Sequence, residues 1–275
     1  MAFLATQHPV LPIPTPEQAL AMGEKKWREL MERREEIIAQ EKEDPIRYQF
    51  EPPIWKICDA LMDMPWLEPG FGQEVRERLG LDRVVKVLLL QGGNRASKTR
   101  YAARTMQKIL LGGEDREVWC FHSNNANSVE QHQKLMWELL PKELKQTVRT
   151  QTTYISYTQK YGFSDGKYVL PNKSMCSFRN YEQKDDTVEG GNIDGGWLDE
   201  KAPPDWVESM TMRIVTRDGR LLTTFTPIWG FTGTVKLFLD GSKTLKESTA
   251  FLLPLDEGTP DEEAAMRMED CLEWV

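Results

Sequence analysis

An apolar run that breaks into a glycine-containing loop ending in Lys-Thr constrains this chain more than any other stretch. It reads Val84-Val85-Lys86-Val87-Leu88-Leu89-Leu90-Gln91, then Gly92-Gly93-Asn94-Arg95-Ala96-Ser97-Lys98-Thr99. Strand, loop and helix in that order make a phosphate-binding loop, because successive backbone N–H groups and the following helix N-terminus form an anion cradle. Read against Gly-x-x-x-x-Gly-Lys-[Ser/Thr] from Gly92, the loop departs once, with Ser97 where the pattern has its second glycine. In such a loop Lys98 sits on the β- and γ-phosphates as a point charge and Thr99 offers its hydroxyl to Mg²⁺. Tyr101-Ala102-Ala103, Met106 and Ile109-Leu110 recur at helical spacing and predict a helix over 98–111. A glycine-rich turn without a ligand gives the same local pattern, so the rest of the chain has to decide.

Two acids and a hydroxyl-bearing strand follow at the separations a nucleotide site needs. Trp197-Leu198-Asp199-Glu200 is a brief apolar strand ending in two carboxylates, of which Asp199 would orient Mg²⁺ and Glu200 would polarise the attacking water. Leu221-Leu222-Thr223-Thr224-Phe225-Thr226 is a strand that would bring Thr224 and Thr226 near the γ-phosphate if it lies beside the loop strand. Solvated strand ends and plain β-propensity are the alternatives for each taken alone. Their conjunction with the loop carries the reading.

Strand and helix alternate around these motifs. Residues 116–121 read as a buried strand and 129–140 as a helix stopped by Pro141, which points to a parallel sheet covered on both faces. Residues 154–157, 168–170 and 175–178 are short strand candidates split by Asp165-Gly166 and Pro171-Asn172, and read as a small inserted β-meander. A final strand is expected at 249–253. Upstream, Thr15-Pro16-Glu17-Gln18 predicts a helix start, and one long amphipathic helix is expected to about Glu43. It is either packed on its own domain or an arm for a neighbouring subunit. Between arm and loop, Tyr48, Gln49 and Trp55 form either an adenine pocket, with Gln49 on the base edge, or part of the core.

Composition narrows the partners. With 275 residues and 40% hydrophobic content the chain has a sizeable core, while a formal net charge of −8 argues against a surface that binds nucleic acid all round. Cys58, Cys120, Cys176 and Cys271 form no CxxC pair and suit a reducing compartment. His8, His122 and His132 have no ligand spacing beside them, and His122 reads as a strand-end residue. The N-terminus has no signal-peptide pattern and no stretch approaches the ~20 apolar residues that cross a bilayer, so a cytoplasm is expected.

Three segments together resemble the ATPase domain of a tailed-bacteriophage large terminase subunit. They are Gly92 to Thr99 with Arg95 inside the loop, Trp197-Leu198-Asp199-Glu200-Lys201-Ala202-Pro203-Pro204, and Leu222-Thr223-Thr224-Phe225-Thr226-Pro227-Ile228-Trp229-Gly230. The resemblance implies an α/β, RecA-like (ASCE) P-loop fold with a mostly parallel sheet. It divides the chain into an N-terminal helical arm (1–45), the ATPase domain (46–255) and a tail or linker (256–275). It implies ATP hydrolysis with Mg²⁺ that drives double-stranded DNA into a procapsid. The implied partners are the portal protein, a small terminase subunit and further copies in a pentameric ring, in the host cytoplasm and transiently at the portal vertex. The nuclease that full-length members carry is not expected in these residues. Arg95 is the candidate for a sensor acting in cis, and Arg149 and Arg179 are candidates for a finger reaching a neighbour in trans. Two rivals stay open: another nucleic-acid-dependent P-loop ATPase of helicase type, and a non-hydrolysing assembly module that keeps a worn loop.

Overall fold

The computed structural model describes residues 15–93, 96–146, 150, 153–182, 191–200, 202–226 and 232–244. Its strands are β1 (Val87–Gln91), β2 (Glu117–His122), β3 (Tyr157–Thr158), β4 (Gly162–Phe163), β5 (Lys167–Val169), β6 (Met175–Asn180), β7 (Gly195–Asp199) and β8 (Arg220–Phe225). Six of them form one sheet in the order β1-β8-β7-β2-β6-β5, and β3 pairs with β4 separately. Every ladder of the large sheet is parallel except β5 on β6. The strand bearing the loop and the strand bearing the acid pair therefore do not touch. Strand β8 lies between them, with Thr224 level with Leu90 on one side and Asp199 on the other. That interposed strand is the mark of the RecA-like arrangement.

The sequence implied a meander inserted into the frame. In the structure β6 pairs with β2 in parallel and β5 turns back along it, so most of that segment extends the main sheet. Only β3–β4 stands apart. The expected strand at 249–253 lies outside the described residues.

Helices cover both faces because alternate residues of each strand point to opposite sides. Val118 and Cys120 of β2, Trp197 of β7 and Leu222 of β8 join one core with Tyr101, Met106 and Leu110 of α6 (Lys98–Leu111). Their neighbours Trp119, Phe121, Leu198 and Leu221 join a second core with Trp206, Met210 and Ile214 of a helix on the other face. At roughly 25 cal/mol per Å² of apolar surface, these two cores dominate the stability.

Thr15 and Gln18 do form the expected reciprocal cap. The long N-terminal helix, however, is two: α1 (Pro16–Met22) and α2 (Glu24–Glu43) meet at Gly23, whose φ of +79° lies outside the helical region. Neither helix buries a residue fully. The end of α2 is held by ion pairs from Glu41 to Arg100 and from Glu43 to Lys142. Then come α3 (Pro45–Tyr48), α4 (Pro53–Leu61) and α5 (Phe71–Arg78) ahead of α6. After β2, α7 (Asn125–Asn127) runs through a π-turn at Ser128–Gln133 into α8 (Lys134–Leu139), followed by α9 (Lys142–Lys145). The helix of the second core is α10 (Pro204–Val215), and α11 (Gly233–Thr244) closes the described chain. None of the described helices is long and apolar enough to cross a membrane.

Candidate active site

The loop after β1 delivers the lysine by a left-handed turn. Ser97 has φ +57°, ψ +14°, a conformation that glycine reaches without strain and other residues rarely adopt. This is why the loop pattern has glycine there, and it is the strain that Ser97 carries in its place. Ser97 precedes α6 but makes no side-chain cap, so its hydroxyl does not compete for the first N–H groups of this 14-residue helix. Lys98 folds back and donates to the carbonyls of Gly92 at 2.7 Å and Gly93 at 2.8 Å. A Cβ on Gly92 would press on the Ala96 Cβ at 3.3 Å and only touch the Lys98 stem at 3.5 Å, so the glycine eases the packing of the loop on itself. Burial lowers the Lys98 pKa, opposed by the charges of Glu200 and Asp199. The lysine thus lies within electrostatic reach of both acids while hydrogen-bonding to neutral carbonyls.

The acids diverge at the end of β7. Asp199 is buried in line with the strand and accepts a hydrogen bond from the Thr224 hydroxyl of β8. Glu200 takes a left-handed conformation, φ +56°, and turns toward the end of β8. There its carboxylate accepts from the Thr226 hydroxyl at 2.6 Å and the Thr226 N–H at 3.2 Å. Thr224 in turn accepts from the indole N–H of Trp197 at 2.9 Å. Asp199, Glu200, Thr224 and Thr226, drawn from two strand ends, form one polar cluster within electrostatic reach of Lys98 at the start of α6.

The donor set suits a magnesium ion held jointly with phosphates. Among the described residues no group of three or more His, Cys, Asp or Glu could hold a metal unaided. Mg²⁺ usually keeps several waters and takes one or two carboxylates plus phosphate oxygens, so the buried Asp199 carboxylate and the Thr99 hydroxyl in the first turn of α6 are the groups that would hold it.

Sequence reasoning missed His132. It comes from the π-turn after β2 and its Nε2 lies 2.6 Å from Asp199 Oδ2. Its ring meets Trp197 edge-on at 4.6 Å and stacks on His122 at 5.4 Å. Burial, with His132 next to it, pushes the His122 pKa down to about 3, against the pull of Asp199. No spacing in the sequence links 132 to 199, and in the largely polar run Ser128–Gln133 nothing sets His132 apart from its neighbours.

Gln49 is buried, its Oε1 accepts from Arg100 Nε at 3.2 Å, and its Nε2 has no partner among the described residues. It therefore stands beside the first turn of α6, one residue past Thr99, with an unused donor. Trp55 packs in the core 5.8 Å from Tyr101, so the core alternative holds for it. Arg179 on β6 lies over the Trp119 ring at 3.9 Å, half-buried, and burial lowers its pKa. Asn94, Arg95 and Arg149 lie outside the described residues.

No protein-family model matches the sequence, and no curated protein matches it either. Similar folds occur among solved structures. These are phage large terminases. The HK97 bacteriophage large terminase shares 15% identity over 79% of this chain and 48% of its own, with a TM-score of 0.48. The ATPase domain of the Thermus phage P74-26 large terminase shares 16% identity over 68% of this chain and 78% of its own, TM-score 0.43. The large terminase of another thermophilic bacteriophage, in complex with ADP, shares 16% over 70% of this chain and 43% of its own, TM-score 0.46. The chain spans about half the length of the HK97 protein.

Proposed function

We propose that this chain is a Mg²⁺-dependent P-loop ATPase, the motor domain of a phage large terminase that moves double-stranded DNA into a procapsid. The observation that carries the ATPase reading is the strand order, which sets the loop lysine and both acids around β8 beside an uncapped helix start. Bound Mg·ATP supplies the phosphoanhydride and a Lewis acid. The loop N–H groups and Lys98 hold phosphate oxygens, Thr99 and Asp199 hold the ion, and Glu200 takes a proton from the attacking water. Gln49 offers its free amide to the base. Arg95 contributes charge in cis.

The motor reading rests on the three motif segments and their order. Its partners would be double-stranded DNA, the portal, a small subunit and further copies in a pentameric ring in the host cytoplasm. The test is ATP turnover of the chain with and without double-stranded DNA and capsid vertices. Stimulation by both is expected, and the first prediction is that Lys98→Ala abolishes hydrolysis and weakens triphosphate binding. Unchanged turnover in that variant removes the catalytic assignment. DNA-independent turnover removes the motor reading and leaves the ATPase.

A further inference from the structure

We propose that His132 is a positioning residue that presets the Asp199 carboxylate for the metal; the role rests on the ATPase reading only in taking Asp199 as the metal-side acid. A carboxylate at a strand end turns freely about its last bond unless donors fix its plane. Asp199 has one donor on each oxygen, the Thr224 hydroxyl on Oδ1 and His132 Nε2 on Oδ2 at 2.6 Å. Each oxygen carries two lone-pair sites, so one on each remains for water around an ion.

His132 is itself held from several sides. It is 2% exposed, lies against Trp197 and His122, and its Nδ1 has no hydrogen-bond partner among the described residues. With Nδ1 unpaired, the ring proton belongs on Nε2, where it points at Asp199. The π-turn explains how the ring reaches it. Widening the helix at Ser128–Gln133 lets two successive side chains, His132 and Gln133, both turn inward. Gln133 donates to Ser128 Oγ at 2.8 Å and accepts from the Phe163 N–H at 2.7 Å, which locks the turn onto β4. Gly162 permits that lock, since a Cβ there would lie 2.1 Å from Gln133 Oε1. A buried ring with one nitrogen left unpaired is a local cost, and such costs concentrate at functional sites.

The test measures affinity of the full chain for a fluorescent ATP analogue, in EDTA and across a Mg²⁺ titration. His132→Phe keeps the ring but not the donor, and His132→Gln keeps a donor near Nε2. Partners of this kind typically change metal affinity 10–100-fold. The Phe variant is expected to raise the Mg²⁺ midpoint by about that factor with affinity in EDTA unchanged, while the Gln variant stays within about threefold of wild type. His132→Asn, whose amide ends near the position of Nδ1, carries the same comparison if the Phe variant does not fold. An unchanged midpoint in the donor-lacking variant, or an equal shift in the Gln variant, overturns the role of His132 alone. A wild-type chain that binds no nucleotide in either condition overturns the ATPase reading instead.

Discussion

Glu200 owes its direction to a single left-handed residue, which takes it out of strand alternation and hands its carboxylate to Thr226. Glu200→Gln keeps an acceptor for the Thr226 hydroxyl but cannot take a proton. Nucleotide affinity should therefore hold while single-turnover hydrolysis falls by about 10² or more; lost affinity with an intact chemical step would reverse the assignment. His122 makes a prediction about pH. Its pKa falls to about 3 in the fold from ~6.5 in an unfolded chain, so between those values the unfolded state binds the extra proton. Its contribution is complete above ~6.5 and is lost as pH falls toward 3. Urea midpoints of wild type should drop between about pH 7.5 and about pH 5 more than those of His122→Phe, and equal drops would show that this ring is not the group responsible. Lys98, Thr99, Asp199 and Glu200 stand out in the sequence as candidates because each is tied to a contiguous motif. His132 does not, because its partner is 67 residues away in sequence and only the packing of a helix on the sheet brings them together.

Helix α6 is anchored as an element by buried charge. Arg104, with no exposed surface, donates to Asp59 Oδ2 at 2.6 Å and through Nε to Glu51 at 2.8 Å, while Tyr101 and Trp66 donate to the same Asp59. Lys108 adds a further cation on Glu51 at 2.8 Å. This cluster ties the helix that begins in the loop to α4 and to the segment before it. Arg104→Ala leaves Asp59 buried with no cation of its own and should cost about 3–5 kcal/mol in urea unfolding. Adding Asp59→Asn should restore part of that loss, and a loss under about 1 kcal/mol in the single variant would mean the cluster relaxes to water. Residues 98–111 were readable as a helix from their own apolar period. The place of β6 was not, since a strand's parallel partner is chosen over a long separation and leaves no mark in its own residues. The break at Gly23 is hidden for the opposite reason: one glycine leaves the strong apolar period on either side of it intact.

On the proposed motor reading, a formal net charge of −8 means that a single copy should hold DNA weakly and that a ring repeating its basic side chains around a pore should hold it better. The isolated chain is accordingly expected to be a slow ATPase that accelerates on assembly, a neighbour's arginine being worth ~10³ to 10⁵ in rate. Arg179 would have to leave Trp119 to act there, exchanging a contact worth about 0.5–2 kcal/mol. Mixing Arg179→Ala or Arg149→Ala subunits with Glu200→Gln subunits should restore turnover that neither partner shows alone, whereas full activity of both arginine variants by themselves would remove both candidates. The chain's polar row also has a direction. An indole can only donate and a carboxylate can only accept, so Thr224, which takes the Trp197 hydrogen, must place its own on Asp199. A phosphate oxygen could claim that hydrogen only by taking it from the acid. One hydrogen cannot serve both acceptors, so any contact of Thr224 with a phosphate would cost Asp199 the donor on its Oδ1.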